Sequence, residues 1–302
     1  MASNIIGKSS RVYVPGEVLQ RHHKDHKLSI FKAQSGHEVF VFKRVPRPFY
    51  DLSLRLAAEF AGSRRLRMHI DCNQEECILI YPYFRGTLLS LIQDEPGLHV
   101  LERKKIMRHT GEAIQELHSK DWIHIDVKPD NILVNWTCDE QGNATVTDVA
   151  LGDFDIAYKS ENGEPRQTPY AIGNAMWRSP EGQTGMGVTK ASDIFSFGLV
   201  ELVKRGIPPE QEILIRHFSY FGLVLEGLLK QVNSDVWRDA LMEASAAAEN
   251  AVKDQPEMKF EHWGREIGPE AQSMISTMIN PDPSARATIG EVLAHPWWQD
   301  DS

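Results

Sequence analysis

Residues 124–133 read HIDVKPDNIL, placing Asp126, Lys128 and Asn131 on a short proline-containing loop that leads into an apolar run. N-terminal to it, residues around 101–119 carry Met107, Thr110, Ile114 and Leu117 at helical spacing, a core-packing stripe. C-terminal to it lies LGDFDIA, where Asp153 stands 27 residues beyond Asp126, follows an apolar strand and opens the flexible stretch 156–172. A third stretch, EVFVFKRV, alternates as a strand does: Val39, Val41, Lys43 and Val45 share one face, and Phe40, Phe42 and Arg44 the other. An unpaired cation on a valine face is costly. The next segment, PFYDLSLRLAAEFAG, has helical spacing, with Asp51 at its cap, Gly62 past its end and Leu52, Leu56 and Glu59 on one stripe. Glu59 is therefore the expected partner of Lys43.

The surroundings of these stretches divide the chain in two. Residues 11 to about 45 hold the β-like runs VYVPGEVLQ, LSIFKAQ and EVFVFKRV, joined by a polar connector and a turn at Ser35 and Gly36, which predicts a small antiparallel sheet. ECILIYPYFRG returns to strand, and beyond a boundary at 82–86 the chain is mostly helical. IFSFGLVELV, from Ile194, is too short for a membrane span and reads as a buried helix, whereas EASAAAENA reads as a solvated helix face. The 302 residues are 41% hydrophobic and 25% charged, the composition of a folded globular chain, and the net charge of −9 excludes a dedicated nucleic-acid binder. Cys72, Cys77 and Cys138 form neither a disulfide framework nor a CxxC pair. The N-terminus shows no apolar signal core and no glycine for myristoylation, so the expected location is cytoplasmic or nuclear, without membrane attachment.

HIDVKPDNIL resembles the catalytic loop of protein kinases, HRDLKPxN, and LGDFDIA is similar to their metal-binding DFG segment. Phosphoryl transfer needs a carboxylate near the attacking hydroxyl, a cation near the transferring phosphate and an amide oxygen on a metal ion. The resemblance gives those roles to Asp126, Lys128 and Asn131, and assigns magnesium to Asn131 and Asp153. It also makes Lys43 and Glu59 the couple that holds the α and β phosphates of ATP. Ile30 and Val41 would roof the adenine, Leu133 would floor it, and Tyr81 and Tyr83 would lie in the hinge near 81–84. SPE at Ser179–Glu181, SDIFSFG around Asp193 and Arg286 in DPSARAT match further family marks in order. By resemblance, Glu181 and Arg286 form a buried ion pair and Asp193 holds the catalytic-loop backbone. The implied fold is α+β and bilobal: a kinase domain over 11–298, with a sheet-containing lobe at 11–82 and a helical lobe at 86–298. Lys128 marks the Ser/Thr branch, so the implied partners are ATP, Mg2+ and a protein substrate offering Ser or Thr, with the kinase itself a monomer.

The pattern also departs from the family. The loop LQRHHKDHKLSIF contains no glycine where backbone amides should close on phosphates, so Arg21, Lys24 or Lys27 would have to supply charge. His22, His23 and His26 read as part of a solvated basic loop, the alternative being a metal site. Ile125 replaces an arginine that receives activation-loop phosphate, which predicts activity independent of phosphorylation at Thr168 or Tyr170. Asp155 replaces a glycine, and Asn174 stands where the family has a threonine that bonds the catalytic Asp and Lys. The sequence therefore supports an active Ser/Thr protein kinase, with a pseudokinase scaffold as the alternative and a small-molecule kinase as a weaker third.

Overall fold

The computed structural model describes residues 4–22, 25–95, 97–201 and 213–299. Strands β1 (Ile5–Ile6), β2 (Val12–Gln20), β3 (Ile30–Ser35), β4 (Glu38–Arg44), β5 (Asp71–Asn73) and β6 (Ile78–Pro82) form one antiparallel sheet in the order β1, β2, β3, β4, β6, β5. Four of these strands, β2, β3, β4 and β6, fall on the runs read as strand from the sequence; the short β1 and β5 have too few residues to show a period. Alternation along β4 sends Phe40 and Phe42 into a cluster with Tyr13, Ala33, Ile78 and Ile80, while Phe31 stacks on Phe42 at 4.9 Å. The opposite face carries Val41 and Lys43, paired in register with Tyr81 and Leu79.

Helix α1 (Arg47–Glu59) begins after Pro46 and not at Asp51. Pro48, inside the first turn, has its φ fixed and needs no amide partner there, so the helix starts without a side-chain cap. Asp51 lies one turn inside, accepting from Arg47 Nε at 2.9 Å. The helix ends at Glu59 with Phe60 as its C-cap, and Gly62 follows with φ +83°. Leu56 and Phe60, each 1% exposed, join the main core, a burial that stabilises by about 1.5–3 kcal/mol per side chain.

The second lobe contains β7 (Gly86–Thr87), α2 (Leu88–Asp94), α3 (Val100–Ser119), β8 (Trp122–Ile123), β9 (Ile132–Cys138), β10 (Ala144–Leu151) and β11 (Tyr158–Lys159). Helices α4 (Pro180–Thr184), α5 (Lys190–Glu201), α6 (Ile213–Phe221), α7 (Glu226–Val232), α8 (Asp235–Asp254), α9 (Gly264–Ile267), α10 (Pro269–Met278) and α11 (Ile289–Leu293) complete it. Met107, Thr110, Ile114 and Leu117 of α3 are buried, as are Ile194, Phe195, Phe197, Leu199 and Val200 of α5. EASAAAENA is not solvated all round: Ser245 and Ala248 are buried, and Ala248 joins Leu241 and Phe218 of α6 in one cluster. Small side chains let the two helices approach there, and Ser245 Oγ accepts the Val224 N–H at 3.0 Å. The architecture is α+β in two lobes, a sheet with one main helix followed by a mostly helical part. Among the described residues no helix is long and apolar enough to cross a membrane.

Candidate active site

The loop between β8 and β9 is held from below by one carboxylate. Asp193, fully buried in the first turn of α5, accepts the N–H of His124 at 2.8 Å and of Ile125 at 2.7 Å. These bonds hold Ile125 at φ +72°, a left-handed conformation that a β-branched residue resists. The Ile125 side chain packs with Ile123, Ile172 and Val188. His124 Nε2 lies 3.0 Å from the Gly152 carbonyl and its ring 5.0 Å from that of Phe154, which ties this loop to the segment carrying Asp153.

Asp126 is gripped on both oxygens. Its Oδ2 accepts from Lys128 Nζ at 2.7 Å and Asn131 Nδ2 at 3.0 Å, and its Oδ1 accepts the Asn174 N–H at 2.9 Å. Asn131 Nδ2 also donates to the Asp126 carbonyl at 2.8 Å. With its nitrogen committed in this way, Asn131 keeps Oδ1 as an acceptor. Asn174 serves through its backbone and not through the side chain expected to replace threonine; its Oδ1 instead accepts the Met176 N–H at 3.0 Å.

Lys43 does not pair with Glu59. Its Nζ donates to Asp153 Oδ1 at 2.8 Å and Asp155 Oδ2 at 2.6 Å. Burial works against the charged lysine, but the Asp153 and Asp155 charges outweigh it and hold the ammonium above its ordinary pKa. For Asp153 burial acts in the same opposing sense, yet Lys43 prevails and its pKa is lowered. For Asp155 burial, aided by the neighbouring Asp153 charge, raises the pKa against Lys43.

Glu59 is the last residue of α1, where the helical stripe has run on to β8 and β11. Its Oε1 accepts from Lys159 Nζ at 2.6 Å, its Oε2 from Trp122 Nε1 at 3.0 Å, and its carbonyl from Lys120 Nζ. Glu59 is thus a tie between the helix and the second lobe and does not line the cleft.

Ile30, Val41, Lys43, Tyr81, Asn131, Leu133 and Asp153 border one cavity of about 180 Å3, together with Gln20, Arg67 and Gly152. Tyr83 is not in that lining; its ring lies 5.0 Å from Lys32 Nζ. The glycine-free connector folds as a short turn at 26–28, with Asp25 Oδ1 accepting the Lys27 N–H at 2.9 Å and the His26 ring edge-on to Phe31 at 5.5 Å. Arg21 and Lys27 are exposed, whereas His23 and Lys24 lie outside the described residues. Among the described residues no group of three or more His, Cys, Asp or Glu is placed to hold a metal ion. Asn131 Oδ1 and the Asp153 carboxylate are hard oxygen donors of the kind magnesium takes, one or two from protein and the rest from phosphate and water.

Residues 66–298 match the family model for the protein kinase domain. The chain belongs to the protein kinase family. It is 28% identical over 219 residues to human MAP kinase-activated protein kinase 2, covering 70% of this chain and 45% of that one. It is 30% identical over 185 residues to the serine/threonine-protein kinase mos of Patiria pectinifera, covering 57% and 49%. The match to "Probable serine/threonine-protein kinase pXi" of Dictyostelium discoideum is 28% over 186 residues, 61% of this chain and 20% of that one. The chain thus spans between a fifth and about half the length of these relatives, and it is a member of the eukaryotic-type Ser/Thr kinase family.

In this kinase domain the matched stretch begins at Leu66, so Lys43 and the glycine-free connector lie before it, while Asp126, Asp153, Glu181 and Arg286 lie within it. Glu181 and Arg286 form the expected ion pair, at 2.6 and 3.0 Å with both side chains fully buried. Sequence reasoning overlooked two residues of the cleft. Asp155 was visible only as a lost glycine, and Arg67 sits in an irregular segment with no periodicity to single it out.

Proposed function

We propose that the chain transfers the γ-phosphoryl group of a purine nucleoside triphosphate, ATP by resemblance, to a Ser or Thr hydroxyl of a protein. The observation that carries this reading is the grip on Asp126. Among the described residues Oδ2 holds two donors, whereas Oδ1 holds only the Asn174 N–H and keeps a lone pair for an incoming hydroxyl. In the step, the substrate oxygen bonds to the γ-phosphorus, the bond from that phosphorus to the β-bridging oxygen breaks, and the hydroxyl proton passes to Asp126 Oδ1. Lys128, bonded to the same carboxylate, places its charge beside the transferring group. Asn131 Oδ1 and Asp153 would hold magnesium, which when bound neutralises phosphate oxygens. Ile30 and Val41 face Leu133 across a slot for the base, and Lys43 lies beside Asp153 for the phosphates.

A second reading is favoured by one contact. Lys43 is bonded by two carboxylates, and the connector above it is a capped turn without glycine, so a pseudokinase that acts as a scaffold is the competing function. A thermal-shift titration with magnesium and nucleotide separates them. Nucleotide at 100 times its dissociation constant stabilises the fold by about 2.7 kcal/mol. A shift of that order is expected; no shift with any purine triphosphate rejects the enzyme reading and leaves the scaffold.

A further inference from the structure

Residues 60–70 read FAGSRRLRMHI, with Arg64, Arg65, Arg67 and His69 and no Asp or Glu, in a chain whose net charge is −9. This basic run is fixed in place. The Arg65 carbonyl accepts the Leu151 N–H and the Arg67 N–H donates to the Leu151 carbonyl, both at 2.8 Å, so Leu66 bridges to the edge strand β10. Ser63 Oγ accepts the N–H groups of Arg65 and Leu66 at 3.2 and 3.0 Å and donates to Glu116 at 2.7 Å. Gly152 leaves room for the Arg67 stem, since a Cβ there would lie 3.5 Å from Arg67 Cβ.

The run forms one wall of an open groove of about 770 Å3, bordered also by the end of α1, by Pro82–Phe84 and by β9 and β10. Phe60, Leu66, Met68, Tyr83 and Phe84 make its lining largely apolar, and Ile70, which also lines it, is 54% exposed. Arg67 Nε and Nη2 cover the Pro82 carbonyl at 3.1 and 2.7 Å, so that wall offers a ligand no free proline acceptor. A groove of this size and polarity has the character of a binding site. Its lining shares only Arg67 with that of the nucleotide cavity.

The charges of the run are poorly matched by carboxylates. Arg65 shares Glu112 with Arg108, at 2.8 and 3.5 Å. Arg67 meets a neutral carbonyl. Arg64 is exposed and lines the groove, and among the described residues no carboxylate pairs with it. Burial holds the His69 imidazole below its ordinary pKa, so it adds no charge at neutral pH. Among the described residues Asp148 is the one carboxylate of the lining, and its Oδ1 accepts the Val149 N–H at 3.0 Å. Two guanidiniums thus border apolar walls against one carboxylate, which favours an anionic guest with apolar side chains. A nucleic acid would bring a row of phosphates to a chain that is itself strongly acidic, and has no use for these walls.

We propose that this groove docks a short extended segment of a partner protein in which Asp or Glu alternates with large apolar residues. A carboxylate of the segment meets Arg64, and its apolar side chains lie against Ile70, Tyr83 and Phe84. The proposal does not depend on what the nucleotide cavity binds.

The test is fluorescence polarisation of the full chain with two pools of short labelled peptides. One pool is built from Asp, Glu, Leu, Ile and Phe, and the other has Lys and Arg in place of the acidic residues. The wild type is expected to bind the acidic pool at least about tenfold more tightly than the basic one. Arg64→Ala is expected to weaken that binding about fivefold, the effect of losing an exposed ion pair, and Ile70→Asp about tenfold. Both side chains are exposed, and unchanged thermal melting checks that the variants fold. Equal binding of the two pools, no binding of the acidic pool up to about 1 mM, or affinity unchanged in both variants overturns the proposal. So does displacement of the acidic pool by magnesium–nucleotide, which would place the peptide in the other cavity. A single-stranded oligonucleotide that binds as tightly as the acidic pool and is weakened by Arg64→Ala overturns it in favour of a nucleic-acid site.

Discussion

Asp155 Oδ2 lies 2.6 Å from Lys43 Nζ, closer than Asp153 Oδ1 at 2.8 Å. The lysine that would meet nucleotide phosphates is thus already neutralised by a residue standing where related kinases have glycine. Phosphate must displace that contact. Asp155→Asn keeps the shape and removes the charge, and a hydrogen bond to a charged group contributes about 1.5–3 kcal/mol. The variant is expected to bind magnesium–nucleotide about tenfold more tightly in calorimetry. Unchanged or weaker binding would show that Asp155 does not compete for Lys43.

Asp153 has a separable role. Its carboxylate and Asn131 Oδ1 are the oxygen donors proposed for the metal. Asp153→Asn should therefore lose magnesium-dependent nucleotide binding while retaining most of whatever binding persists in excess chelator. Titrations with and without magnesium measure both, and equal loss in the two conditions would count against the metal assignment.

The tie at Glu59 predicts a pH response. Burial opposes its ionisation, but the bonds from Lys159 and Trp122 prevail and hold its pKa below the ordinary 4.5. A depressed carboxylate contributes stability that is fully present above its unfolded pKa and is lost as the pH falls through the folded one. Glu59→Gln should therefore cost about 1 kcal/mol at neutral pH, as expected for a partly exposed pair, with the difference from wild type vanishing in acid. Urea denaturation across that range measures it. A difference that persisted unchanged below the folded pKa would exclude the ion pair as its source.

The buried pair of Glu181 and Arg286 predicts a larger effect. Glu181 also accepts from Ser192 Oγ at 2.7 Å, and Arg286 donates to the carbonyls of Asn280, Ala191 and Pro281. Arg286→Met strands a carboxylate in the core, which costs about 3–5 kcal/mol. Chemical denaturation that returned less than 1 kcal/mol would mean that water reaches Glu181.

How far the sequence could be read depended on how local each signal was. Alternation along β4 located Lys43 on the cleft face because a strand's period is set by neighbouring residues alone. The partner of Lys43 was a tertiary matter. The stripe of Leu52, Leu56 and Glu59 defines a face of α1, yet Leu56 packs into the core while Glu59, one turn on, meets β8 and β11. Asp193, Glu181 and Arg286 were legible only through the resemblance of SPE, SDIFSFG and DPSARAT to family marks, and the bonds they make are tertiary ones that no local period announces. Arg67 gave no such signal: an arginine in an irregular segment looks like surface until Gly152 and the Pro82 carbonyl are placed around it.

In the proposed phosphoryl transfer, Asp126 Oδ1 receives the proton of a protein hydroxyl. Transfer of labelled γ-phosphate from the tightest-binding magnesium–nucleotide to a basic protein should proceed with the wild type and fall by about 10²–10⁴-fold in Asp126→Ala, with nucleotide affinity retained. Transfer at the wild-type rate in the variant, or none in a wild-type chain saturated with nucleotide, would contradict it.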